Sequence, residues 1–318
     1  MMTRHWSELD GLRGYLALAV VTLHFGLSAY LTRALGLWPL ALNLSVDVFF
    51  LLSGFVLTHS LRRPIPWRQF ALKRMLRLLP VYYATLALLL PISALTPGDF
   101  LLNLLVATPW FGSDPLNFPA WSICWELYLP LLAYALPVRI GDGLVRPLLL
   151  VSLIALGWCD VQAVSADILY FPRALLGLLA GHLLYRARLK NSWRFELAVL
   201  PVLVTILAAG ALPWLAFALP GLTALALVAR KTGTSVFAHP ISIAVGAISY
   251  TVYLVHVPVL RLMQYFWASS IDQNPLAKIL GIAAAILLAA GITLMIERPA
   301  IRRSAALFKS APTAAAPG

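Results

Sequence analysis

Charge is what this sequence has least of. Asp, Glu, Lys and Arg make up 11% of its 318 residues, where a soluble domain carries about 25%. Hydrophobic residues reach 61% and the mean hydropathy is +0.86, which excludes a soluble or disordered chain and leaves a polytopic membrane protein. Cysteine is nearly absent. Cys124 and Cys159 lie in or beside apolar segments and form no CxxC pair, so neither a disulfide framework nor a metal site is expected. No internal repeat and no separate soluble domain is visible. The polar start lacks a small-residue cleavage site, so no cleavable signal peptide is expected either.

Acidic residues are the scarcer sign, 12 against 24 basic ones. A net charge of +12 invites a nucleic-acid reading, but the cations fall in alternate connections. Arg62, Arg63, Arg68, Lys73, Arg74 and Arg77 share one, and Arg186, Arg188, Lys190 and Arg194 another. Connections around 93–118, 159–166 and 210–213 hold no Lys or Arg. This is the positive-inside pattern, and it accounts for the excess without a polyanion partner.

The periodicity predicts an all-α bundle of about ten transmembrane helices, at about 11–31, 40–60, 75–95, 118–138, 144–160, 167–186, 195–210, 212–230, 241–263 and 277–297. Both termini then face the cytoplasm of a multi-pass inner (plasma) membrane protein. Only Arg33, Arg261 and Lys278 near the outer face, and Arg173 within a helix, depart from the charge rule. Residues 1–305 form one membrane domain and 306–318 a small-residue, Pro-rich tail expected to be disordered. The stretch 96–117, broken by Pro97, Gly98, Pro109, Gly112 and Pro115, is too short to span and reads as re-entrant or interfacial on the outer side.

Ionisable residues inside spanning helices are costly and mark function by default. Here they are Arg13, His24, Asp47, Glu126, Arg173, His182 and His256. His182, in the last turn of its helix, reads as interfacial, and Asp47 as either a site residue or a structural partner for a cation. His24 lies deep among apolar neighbours, where a merely structural ring would need a buried partner. Glu126, beside Trp121, Trp125 and Tyr128, reads as an acid or base of shifted strength or as the partner of a buried cation.

Seven segments together resemble the membrane-bound acyltransferase family 3, which includes bacterial enzymes that acylate surface glycans such as O-antigens. LDGLRGYLALAVVTLHFG carries its Arg–ten residues–His motif at Arg13 and His24. SVDVFFLLSGFVLT is similar to its Asp-x-Phe-Phe-x-x-Ser-Gly-Phe segment at Asp47, and KRMLRLLPVYY to its Arg-x-x-Arg-x-x-Pro element at Arg74, Arg77 and Pro80. WSICWELY resembles its Trp-Ser-x-x-x-Glu segment, with Glu126 and then Leu127 where many members have a second glutamate. FPRALLGLLAG resembles the family helix with an arginine, Arg173. ISYTVYLVHVPVL matches Ser-Tyr-x-x-Tyr-x-x-His through Ser249, Tyr250, Tyr253 and His256, and IERPAIR the closing Glu-x-Pro at Glu297.

The resemblance implies transfer of an acyl group, usually acetyl, from cytoplasmic acyl-coenzyme A to a hydroxyl of an extracytoplasmic or lipid-linked glycan. Beside the cofactor-like donor (acetyl-CoA) and the saccharide acceptor, the partners implied are membrane lipids, with no metal and no nucleic acid. The residues fit this chemistry. Arg68, Lys73, Arg74 and Arg77 can bind phosphates, and Arg13 stands roughly 16 Å of helix rise from His24, spacing suited to a donor charged at one end and reactive at the other. His24 would serve as general base or carry the acyl group transiently, with Glu126 orienting or charge-balancing it. Ser249, Tyr253 and His256 would line the site or stabilise an oxyanion, and Asp47 and Arg173 would face substrate. The same intramembrane His, Arg and Glu also describe a proton-coupled transporter, the alternative reading.

Overall fold

In the computed structural model of the chain, residues 6–61, 65–135, 142–161, 166–187, 195–209, 223, 235–267 and 274–307 are described. Every regular element among them is helical. Among the described residues three stretches are long and apolar enough to cross a membrane: Leu42–Ser60, Trp67–Ile92 and Pro275–Leu307. Two bent pairs raise the number to five if each is one span. Apart from residue 223, the expected span at 212–230 falls outside the described residues, as does the tail beyond 307.

The first expected span is broken. Helix α1, Ser7–His24, starts four residues earlier than predicted and ends at His24; α2, Leu27–Ala34, leaves it at 76°. The hinge is Gly26, whose φ of 65° lies in the left-handed region that side chains avoid. His24 therefore sits at the C-terminal end of a helix, not midway down one. Helix α3, Ser45–Ser60, begins beyond a short 3₁₀ turn, and α4, Trp67–Leu89, begins eight residues before the expected 75. That extension lifts Arg68, Lys73 and Arg74 out of a connection and onto helical turns.

The stretch 96–117 holds only the eight-residue α5, Pro97–Leu104, and a 3₁₀ turn, Thr108–Phe111. Asn103 pins it: its backbone carbonyl accepts from Tyr82 Oη at 2.6 Å, and its side chain accepts the Leu116 N–H at 2.8 Å. Then follow α6, Ala120–Ala135; α7, Asp142–Val161; α8, Ala166–Ala187; and α9, Phe195–Ala208. The ninth expected span is again a bent pair, α10, Pro240–Ala247, and α11, Ser249–Trp267, meeting at 58°. Helix α12, Pro275–Ile292, passes through a π turn at Thr293–Glu297 into α13, Arg298–Leu307.

Lipid tails offer no hydrophobic drive between helices, so close backbone approach and polar contacts hold such bundles. Helices α3 and α8 show the first. A Cβ on Gly54 would lie 2.2 Å from the Leu178 carbonyl oxygen, and one on Gly181 2.2 Å from that of Leu51. Glycine at both places lets the two helices touch main chain to main chain, which brings Arg173 of α8 to Asp47 on α3.

Candidate functional site

Two polar layers lie along α1, one at its C-terminal end and one in its N-terminal half. At its C-terminal end, His24 Nδ1 lies 2.7 Å from His256 Nε2, and the ring planes differ by only 9°. His256 is fully buried on α11, and its Nδ1 is 3.2 Å from the Val252 carbonyl oxygen. Phe118 meets the His24 ring edge-on at 5.8 Å. Just past this pair, buried Lys278 of α12 donates to the Phe25 carbonyl at 2.9 Å. It caps one of the carbonyls that the helix end leaves orphaned, where a cation is favoured. From the sequence Lys278 was only a charge near the outer face; nothing in its neighbourhood of apolar residues signalled a cap.

Three turns back along α1 is a layer of guanidinium and carboxylate. Ser53 Oγ donates to Glu126 Oε1 at 3.0 Å, and Arg13 Nη2 reaches Ser53 Oγ at 3.5 Å. Arg74 donates through Nε, at 2.7 Å, and Nη2 to the backbone carbonyl of Glu126, with Nη2 also 3.8 Å from the carboxylate. That carbonyl is available for a specific reason. Pro130, four residues on within α6, has no N–H to give it. Arg68 and Arg77 are exposed and form no side-chain hydrogen bond among the described residues.

Glu126 is thus held by Ser53 and Arg74, and the ring that reaches His24 is His256. No hydrogen bond joins Glu126 to His24 among the described residues. Asp47 and Arg173 take each other: Arg173 Nε and Nη2 meet the two carboxylate oxygens at 3.0 and 2.6 Å, while the guanidinium carbon stands 5.3 Å from the centre of the Trp121 ring. Tyr253 Oη lies 3.0 Å from Ser122 Oγ. Ser249 lines a small apolar crevice with Gly14, Ala17, Leu18, Ile248 and Val252. Those α1 positions are rotated by about 40–140° from the Arg13–His24 face, so the crevice flanks that face.

Sequence reasoning missed Ser53 and Asn117 as well as Lys278. Asn117 Nδ2 donates to Thr85 Oγ1 at 3.0 Å and to the Leu254 carbonyl at 2.9 Å. Leu254 precedes Pro258 by four residues in α11, so this is a second proline-freed carbonyl taken by a side chain from elsewhere in the chain. The prolines were visible; which side chain would answer each was not. His182 Nδ1 is 3.1 Å from Thr58 Oγ1, tying α8 to α3. Among the described residues no three of His, Cys, Asp and Glu gather as a metal site would require.

The comparisons bear on the same residues. A family described as an acyltransferase domain matches residues 6–295, which takes in both layers. Peptidoglycan O-acetyltransferase OatA of Listeria monocytogenes is 25% identical over 195 residues, 53% of this chain and 30% of that protein. The match therefore spans under a third of that relative's length. No solved structure matches the chain. With a family match over nearly its whole length, the chain belongs to the membrane acyltransferase-3 family.

Proposed function

We propose that this protein is a multi-pass inner-membrane O-acyltransferase that moves an acetyl group from cytoplasmic acetyl-CoA to a hydroxyl of an extracytoplasmic or lipid-linked glycan. The reading rests on the family, on the glycan O-acetyltransferase among its relatives, and on one observation: an imidazole pair at the C-terminal end of α1 and a guanidinium layer about three turns away along it. Ten crossings with both termini cytoplasmic put the guanidinium layer on the donor's side.

In this scheme Arg77 and Arg68 meet the phosphates of the donor, joined by Lys73 and by Arg13 at the mouth. Arg74 and Glu126 form the strut between α4 and α6 that shapes the entry. The thioester is delivered toward His24, which removes the proton from the attacking hydroxyl as its oxygen bonds to the thioester carbonyl carbon. The carbon–sulfur bond then breaks, and the same proton passes to the departing thiolate. Asp47, Arg173, Ser249 and Tyr253 shape the walls through the contacts they make, and the outer stretch 96–117 lies over the acceptor's side.

Purified protein in detergent should hydrolyse or transfer label from acetyl-CoA, and His24→Ala should lower that rate by about 10²–10⁴-fold, the contribution of a general base. His24→Gln should be as impaired, because an amide cannot take the proton. Near-normal turnover by the glutamine variant would end the base assignment, and silence of the wild type toward acetyl-CoA with any glycan acceptor would end the acyltransferase reading.

A further inference from the structure

The imidazole pair contains more information than its separation. A carbonyl oxygen only accepts, so the His256 nitrogen facing Val252, Nδ1, carries a hydrogen. In a neutral ring the other nitrogen, Nε2, is then a bare lone pair, and it is the one 2.7 Å from His24. His24 Nδ1 must therefore be the donor between the rings, which leaves His24 Nε2 without a hydrogen. The opposite assignment needs His256 as a cation, fully buried and with no carboxylate hydrogen-bonded to either ring among the described residues, an arrangement that burial penalises heavily.

The ring geometry supports a true bond. The centroids are 5.0 Å apart and the planes differ by 9°. One ring radius on each side of a 2.7 Å N···N contact adds up to that separation only if both nitrogens lie on the line between centres. The rings therefore meet edge to edge in nearly one plane, with the N–H aimed along the lone pair, the favoured geometry. Face-to-face stacking would bring the centres much closer.

Resting on the acyltransferase reading above, we propose that His256 is a positioning residue: it fixes His24 in the tautomer whose Nε2 lone pair is free to receive the acceptor's proton. The chain of donors runs from His24 through His256 to Val252. When Nε2 takes the proton, the Nδ1–H bond to His256 becomes charge-assisted and strengthens, so the pair stabilises the state that forms during reaction. The logic is that of an oriented triad, with an imidazole anchored on a backbone carbonyl in the place of the carboxylate. His256 itself touches no reacting atom.

The test separates orientation from packing. His256→Phe keeps a ring but removes the acceptor, and should lower kcat by about 10²-fold or more while leaving the donor KM within about twofold. His256→Gln offers a side-chain carbonyl near the place of Nε2 and should recover most of that loss. Equal losses in the two variants, or full activity in the phenylalanine variant, would overturn the proposal. A readout independent of turnover is the ¹⁵N spectrum of histidine-labelled protein in micelles, with His24 assigned through His24→Asn. Wild-type protein should show Nδ1 protonated and Nε2 bare, and the phenylalanine variant a mixture. A wild-type His24 protonated at Nε2 would overturn the assignment even if the enzyme is active. A correct spectrum in a protein silent toward acetyl-CoA would instead defeat the activity reading alone.

Discussion

Whether Arg74 is a strut or a phosphate ligand can be decided through Pro130. Arg74→Met removes two N–H donors from the Glu126 carbonyl and the cation near its carboxylate. An unsatisfied buried carbonyl costs about 1–3 kcal/mol. The unpaired carboxylate adds less than the 3–5 kcal/mol of a fully buried broken pair, because the two side chains keep 11% and 19% exposure. The total expected loss is about 3–5 kcal/mol. Pro130→Ala supplies the missing N–H, and its general benefit to the helix is the same with or without Arg74. In a double-mutant cycle that benefit cancels. Alanine at 130 should therefore help the Arg74→Met variant more than the wild type, by about 1–2 kcal/mol, the excess being less than a whole hydrogen bond because a carbonyl has two lone pairs. Reversible unfolding in mixed detergent–dodecyl sulfate micelles measures it. Additivity within about 0.5 kcal/mol would refute the idea that the proline-freed carbonyl is what Arg74 answers. The same double variant sorts the roles: if stability returns and donor KM with it, Arg74 is a strut, and if KM stays raised, it also meets phosphate.

Arg77, exposed and without a side-chain hydrogen bond among the described residues, should behave differently. Arg77→Ala should weaken acetyl-CoA binding by about 1.5–3 kcal/mol, a tenfold or greater change in Kd, and leave acetyl-pantetheine binding little altered; equal losses would make it an orientation determinant only. Single cysteines at 104 or 111 in a cysteine-free background should be labelled from outside intact cells, and labelling from the cytoplasmic face alone would overturn the ten-crossing arrangement and with it the side given to the donor.

Much of the architecture could be read in advance because hydropathy reports what a segment's solvent is. The helices over 45–60, 120–135, 142–161, 166–187 and 195–208 fall within a few residues of their predicted ranges. The breaks could not be read the same way. Residues 11–31 are mostly apolar whether the chain runs straight or turns at Gly26, and only tertiary contacts, Lys278 among them, select the turn. The same holds at Ala247–Ser249. The candidate residues were legible because a charge in such a segment is conspicuous; their pairings were not, since partners such as Arg173 and Asp47 lie 126 positions apart.

The breaks and the polar contacts have one cause. Inside a bilayer no water is present to satisfy a backbone group that a helix leaves unpaired. Each interruption in these helices therefore creates a demand that only another part of the protein can meet. Gly26 ends α1, and Lys278 supplies a donor to Phe25. Pro130 frees the Glu126 carbonyl and Arg74 takes it; Pro258 frees that of Leu254 and Asn117 takes it. Ahead of Pro299, the π turn places Glu297 where Thr251 and Thr293 donate to it at 2.6 and 3.2 Å. In the first three cases a bond formed across the bundle replaces one lost within a helix, so the interruption fixes the relative placement of two segments more tightly than apolar packing in lipid would. Three of these bonds lie on the segments that carry His24, Glu126 and His256. The helix interruptions are thus what hold the imidazole pair and the guanidinium layer in register, and a substitution that merely straightened one of these helices would be expected to cost activity before it cost insertion.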